Sequence, residues 1–128
     1  MESEQGPVGR VIKHGSQQYT RVEATDEPGH GNACHHYRIV NADASKDEKL
    51  IFNVINFQDG PVKEHGVNGI HNEDLLVIVV DRLEGFQGGI HACRENALAL
   101  TKIQEALHWL NHRTTTRQQR GVEGTHKI

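Results

Sequence analysis

The stretch RENALALTKIQEALHWLNHRTTTRQQR, Arg94 to Arg120, does most to limit how this chain can fold. Ala99, Leu100, Ile103, Ala106, Leu107 and Leu110 recur at three- and four-residue spacing with strong helix formers between them, which predicts one long amphipathic helix ending before Gly121. Thr114, Thr115 and Thr116 are poor helix formers, so the last turn or two is expected to depend on something packing against it.

A second helix is predicted just upstream. In NEDLLVIVVDRLEGFQ, Asn72 is placed to cap, and Glu73 and Asp74 put negative charge in the first turn, where it suits the helix dipole. Leu75, Leu76, Val79, Val80, Leu83 and Phe86 follow at helical spacing. The run Val77 to Val80 would equally suit a buried strand, but the capping signal and the continuation through Asp81, Arg82 and Glu84 favour helix. Gly88 and Gly89 then mark a reversal, giving a helical hairpin over 72–120 with a tail at 121–128.

The first half reads differently. VGRVIKH, QQYTRVEA, HHYRIVNA and EKLIFNVINFQ are short strand-like runs separated by turn formers, and residues before Val8 show no periodicity and are expected to fray. In the fourth run, Leu50, Phe52 and Val54 would face one side and Ile51, Ile55 and Phe57 the other, which predicts a central strand. QDGPVKEHGVNG then predicts a sharp turn. The expected class is α+β: a small N-terminal antiparallel sheet over 8–58, then the two-helix hairpin, within a single domain spanning 1–128.

Fourteen basic residues against seventeen acidic ones argue against broad duplex DNA binding, which depends on neutralising many phosphates, but leave room for a local basic pocket. Cys34 and Cys93 are too few for a disulfide scaffold, and no apolar leader stands at the N-terminus, so a reducing cytoplasm is expected. The longest apolar run, Leu75 to Val80, is far short of the roughly 20 residues that cross a membrane. A hydrophobic content of 35% is lean for a monomer and suggests a core completed by a partner subunit.

Several clusters invite a chemical role. His30, Cys34, His35 and His36 are zinc-binding types, but their spacing lacks the paired pattern of a structural site. His108 and His112 lie four apart on a helix, yet HWLNH lacks the glutamate of the metalloprotease motif and fits a solvated face better. Glu73, Asp74, Asp81 and Glu84 could hold magnesium for nucleotide pyrophosphate hydrolysis, a site that wants further carboxylates from a second helix, where only Glu95 and Glu105 are on offer. No metal, cofactor or catalytic set is expected.

Arg113, Arg117 and Arg120 gather at the end of the long helix, where cations simply answer the dipole. With Phe86 and Asn96 near the hairpin turn they also suggest a nucleotide pocket. Arginine pairs bidentately with phosphate, an aromatic ring offers a stacking face, and asparagine can read an adenine edge. Each has a plainer reading as core, helix surface or solvated charge.

FNVINFQDGPVKEHGVNGIHNEDLLVIVVDRLEGFQGG, running into CRENALALTKIQEALHWLNHRTTTRQQRGVEGTH, closely resembles the phage Thoeris anti-defence proteins of the first type, which share a helical hairpin domain with an anti-CBASS sponge family. The likeness covers Phe52 to His126, and RENALALTKIQEALHWL and RGVEGTH are its most specific blocks. It implies a non-catalytic sponge, acting in the host bacterial cytoplasm during infection, that sequesters the glycocyclic ADP-ribose signals of TIR proteins without cleaving them. In some members it implies separate sites for the cyclic di- or trinucleotides of CBASS. It implies homodimers, and in some members hexamers built as trimers of dimers. The ligand-binding residues it implies are Phe86, Asn96, Arg113 and Arg117, the arginines clamping a pyrophosphate. Arg82, Arg94, Lys102, Arg120 and Tyr37 are further candidates for a second nucleotide site, and the sequence does not rank them. Two other classes stay open: a metal-dependent nucleotide phosphohydrolase and a non-catalytic structural phage protein.

Overall fold

A computed structural model of the chain describes residues 9–43 and 50–128. The expectation for the residues before Val8, and the first residues of the fourth strand run, lie outside that range. The described residues fall into two compact units, one comprising those up to Gly60 together with Val67–Ile70, the other Pro61–Gly66 together with His71–Ile128. The architecture is α+β, with strands β1 (Arg10–Val11), β2 (Thr20–Ala24), β3 (His36–Asn41) and β4 (Ile51–Asn56), then helices α1 (Val62–His65), α2 (Asn72–Gln87) and α3 (Arg94–Gln119).

In the first unit the four strands form an antiparallel sheet in the order β1-β2-β3-β4. Strand β2 is shorter than its apolar pattern, and Gln17, at the start of that pattern, takes a left-handed φ of 58° rather than extended backbone. Its centre is polar. Glu23 is 1% exposed and pairs across to Arg38 on β3, whose Nε donates to Oε1 at 2.7 Å, while Arg21 Nε donates to Oε2 at 3.0 Å. A buried carboxylate is tolerable only when held this way by charged donors. Ala24 and Val40 are fully buried and Cys34 nearly so, and they are the buried apolar side chains among the described residues.

Strand β4 corrects an expectation. It was expected at the centre of the sheet and stands at its edge, with Leu50, Ile51, Phe52 and Val54 all about half exposed. Apolar residues on both faces report the environment of the faces and not the position in the sheet, and among the described residues β4 pairs with β3 alone of the named strands. Beyond β4, Phe57 bridges in parallel to Ile70, and a Cβ at Gly69 would collide with the Asn56 and Phe57 carbonyls, so glycine there permits the close approach.

In the second unit the predicted sharp turn contains one helical turn, α1, entered through Pro61 and left through Gly66 at φ 72°. Helix α2 is capped one residue earlier than expected. His71 is the N-cap, and its backbone N–H donates to the Asp74 carboxylate at 2.8 Å, so Asp74 satisfies an orphan donor as well as facing the dipole. Helices α2 and α3 pack as a hairpin, with Leu75, Leu76, Val80, Leu83 and Phe86 on one and Leu100, Ile103, Ala106, Leu107 and Leu110 on the other half-buried. Val77, Ile78, Leu98 and Trp109 remain exposed.

Candidate functional site

Two places on the helical unit gather the residues singled out by the sequence. The first is the hairpin turn. Phe86, in the last turn of α2, meets the His91 ring edge-on with centroids 6.0 Å apart, and Arg82, one turn earlier, lays its guanidinium 4.9 Å from the Phe86 centroid. The i,i+4 spacing makes that second contact, since it brings side chains together on one helix face.

Besides its backbone bonds, the turn is tied by three hydrogen bonds that involve side chains. The Cys93 backbone N–H donates to Gln87 Oε1 at 3.0 Å, the Cys93 Sγ accepts from Asn96 N at 3.4 Å as the α3 N-cap, and Asn96 Nδ2 donates to the His91 carbonyl at 3.4 Å. Phe86 and Asn96 are therefore joined through His91. Sequence reasoning missed Gln87, His91 and Cys93. Cysteine is a poor cap by preference, so nothing in the usual Ser/Thr/Asp/Asn signal could have pointed to it.

The second place is the end of α3, where the three arginines have three different fates. Arg113 is exposed and has no hydrogen bond or ion pair among the described residues. Arg120 donates to the Ile128 carbonyl at 2.7 Å. Arg117 is buried at 7% exposure, and the tail folds back around it. Its Nε donates to Glu123 at 3.0 Å, one terminal nitrogen to the carbonyls of Lys127 and Ile128, and the other to those of Val122 and Thr125. All five guanidinium N–H groups are thus engaged.

The tail also holds α1. Lys63 N donates to the Gly124 carbonyl at 2.8 Å, and His126 Nδ1 lies 2.7 Å from Glu64. Gly121 and Gly124 supply the left-handed turns, at φ 74° and 82°. Those two glycines were the signal for a folded-back tail. Thr114 secures its own turn with a bond from its hydroxyl to the Leu110 carbonyl, and the tail is anchored to the helix one turn later, at Arg117.

The other clusters serve local structure. Cys34 Sγ donates to the Asp26 carbonyl and accepts from Arg10, His35 Nε2 lies 3.0 Å from the His30 carbonyl, and His36 Nδ1 lies 2.8 Å from Asn56 Oδ1. The Asp26 carboxylate accepts from the backbone N–H groups of His35 and His36. Burial works to raise its pKa, but those bonds and the nearby imidazoles outweigh it and hold the carboxyl below its ordinary value. His108 and His112 stack 6.4 Å apart with Trp109 edge-on to both, all exposed. No group of three or more His, Cys, Asp or Glu side chains is placed to hold a metal among the described residues. No helix of the described residues is long and apolar enough to cross a membrane.

The hairpin is also what comparison with known proteins recognises. Residues 49–115 match the family model described as Acb2/Tad1, hairpin domain. The chain belongs to the Acb2/Tad1 hairpin family. Phe86, Asn96 and Arg113 lie inside the matched span and Arg117 just beyond it. The protein named Thoeris anti-defense 1, from Bacillus phage SBSphiJ7, is 62% identical over 73 residues, which are 57% of this chain and 51% of that relative. The chain thus matches about half the length of this curated relative.

Proposed function

We propose that this Acb2/Tad1 hairpin protein is a phage anti-defence sponge, which binds TIR-derived glycocyclic ADP-ribose in the host cytoplasm and withholds it from Thoeris immunity without cleaving it. The observation that carries this is the 62% identity to a protein named Thoeris anti-defense 1. Cyclic di- or trinucleotides of CBASS occupy separate sites in the same proposal.

The ligand contacts proposed are Phe86, Asn96, Arg113 and Arg117. Geometry constrains how they cooperate. Helix α3 is continuous from Arg94 to Gln119, so Asn96 and Arg113 are seventeen residues apart on one rod. At about 1.5 Å rise per residue that is roughly 25 Å. A small-molecule pocket of roughly 300 to 1,000 Å³ is on the order of 10 Å across, so one chain cannot close both ends on one ligand. Two protomers packing α3 antiparallel would set Phe86 and Asn96 of one against Arg113 of the other, making two identical composite sites about a twofold axis. The exposed Val77, Ile78, Leu98 and Trp109 supply apolar surface for such a pairing.

Within a site, Arg113 offers an unspent guanidinium for phosphate. Arg117 contributes to a phosphate only by exchanging one of its present acceptors, and Glu123, the charged one, is also the partly exposed one at 39%. Stacking and charge-assisted hydrogen bonds together favour slow release, which is what a sponge requires.

The deciding experiment is to incubate the purified protein with glycocyclic ADP-ribose, remove free ligand, heat-denature and identify what is released by mass spectrometry. Intact signal is expected. A cleaved product would make the protein an enzyme and turn attention to Glu73, Asp74, Asp81 and Glu84, whereas no capture would leave a structural role.

A further inference from the structure

Arg82, one helical turn before Phe86, belongs to neither the expected clamp nor any ion pair among the described residues. Of the eight arginines, Arg10, Arg21, Arg38, Arg117 and Arg120 donate hydrogen bonds to groups of this chain, and Arg82, Arg94 and Arg113 have no hydrogen bond or ion pair among the described residues. Only Arg82 of those three lies over an aromatic ring.

Its isolation is written into the helix. The neighbours of residue 82 on the α2 surface are Ile78 and Val79 on one side and Gly85 and Phe86 on the other, so no carboxylate stands at the spacing where helix ion pairs form. Although α2 carries Glu73, Asp74, Asp81 and Glu84, the guanidinium rests instead on the Phe86 face, 4.9 Å from its centroid. The ring is itself steadied edge-on by His91.

From this we infer that Arg82 is a further ligand contact, forming the outer wall of the Phe86 stacking site and donating to the anionic part of a base-bearing ligand. The inference rests on the nucleotide-signal reading above and extends it. A flat base between two flat groups needs about 7 Å, twice a contact distance of roughly 3.5 Å. Arg82 sits closer than that, and its long, exposed and untethered side chain can swing outward to admit one. A guanidinium suits the position because it stacks on a base through its plane while its edge N–H groups still reach phosphate, which a lysine ammonium cannot do together. The ligand class is a purine joined to a phosphate or pyrophosphate, and Arg82 distinguishes it from an uncharged nucleoside.

The test is calorimetric titration of glycocyclic ADP-ribose into the wild type, Arg82→Ala and Arg82→Lys at two salt concentrations, with circular dichroism checking the helices. Arg82→Ala should bind about ten-fold more weakly with a shallower salt dependence, and Arg82→Lys should keep the salt dependence but recover only part of the affinity. If the wild type binds and Arg82→Ala binds equally tightly with the same salt dependence, Arg82 is only a solvated cation and the inference fails alone. If the wild type does not bind, the sponge reading fails and the inference falls with it.

Discussion

Arg117 and Glu123 face each other across the turn that ends α3, Nε to Oε1 at 3.0 Å, and the other four N–H groups of that guanidinium hold backbone carbonyls of the same short tail. One side chain therefore organises residues 122 to 128.

Replacing Arg117 by alanine should release the tail and fray the Thr114 to Thr116 turns behind it. Removing one member of a buried charged cluster costs roughly 3 kcal/mol. Arg117→Lys should recover less than half of that, since an ammonium has three donors and no planar fork. Glu123→Gln, on a partly exposed partner, should cost only about 1 kcal/mol. Urea denaturation followed by helical circular dichroism reads all three. Equal stability of Arg117→Ala and the wild type would mean the tail does not support α3.

The tail also shows why the sequence was legible only in part. Apolar spacing revealed both long helices, and the Gly88–Gly89 pair revealed the reversal between them, because those signals are local. The burial of Arg117 was hidden, since its acceptors are mostly main-chain carbonyls, which carry no residue identity. The same holds at the turn, where Asn96 is fixed through the His91 carbonyl and a cysteine cap. Strand β4 misled for the opposite reason: its side chains have the composition of a buried strand, while Ile51, Phe52 and Val54 are about half exposed and its position is fixed by main-chain pairing to β3 alone of the named strands.

Glu23 offers a prediction for the sheet. Glu23→Gln keeps the shape but leaves Arg21 and Arg38 facing a neutral amide in a buried position. The expected loss is on the order of 3 kcal/mol. Amide hydrogen exchange should quicken at Val22 to Ala24 and at Tyr37 to Val40, where the strands pair. Unchanged protection there would show that the sheet does not depend on the cluster.

Acid should weaken the loop closed by Asp26. Its folded carboxyl lies below the ordinary value, so the stabilisation is fully present above the unfolded pKa of about 3.9 and is lost as pH falls through the folded pKa. Asp26→Asn should therefore be less stable than the wild type at pH 7, and the gap should close as pH falls below about 4. Urea midpoints of both proteins between pH 7 and pH 3 give the comparison. A gap independent of pH would assign the difference to packing.

The composite site makes a prediction that no single-chain site shares. Phe86→Ala and Arg113→Ala should each abolish tight capture of glycocyclic ADP-ribose, because every site in either homodimer lacks one wall. Mixed after partial unfolding and refolding, the two variants form heterodimers in which one site carries both lesions and the other carries none. About half the chains are then in heterodimers, each with one intact site of two, so capture should return to about a quarter of the wild-type stoichiometry with wild-type affinity. A site within one chain could not be rescued this way, because every chain in the mixture carries one of the two lesions, and mixtures that stay inactive would rule out the antiparallel pairing.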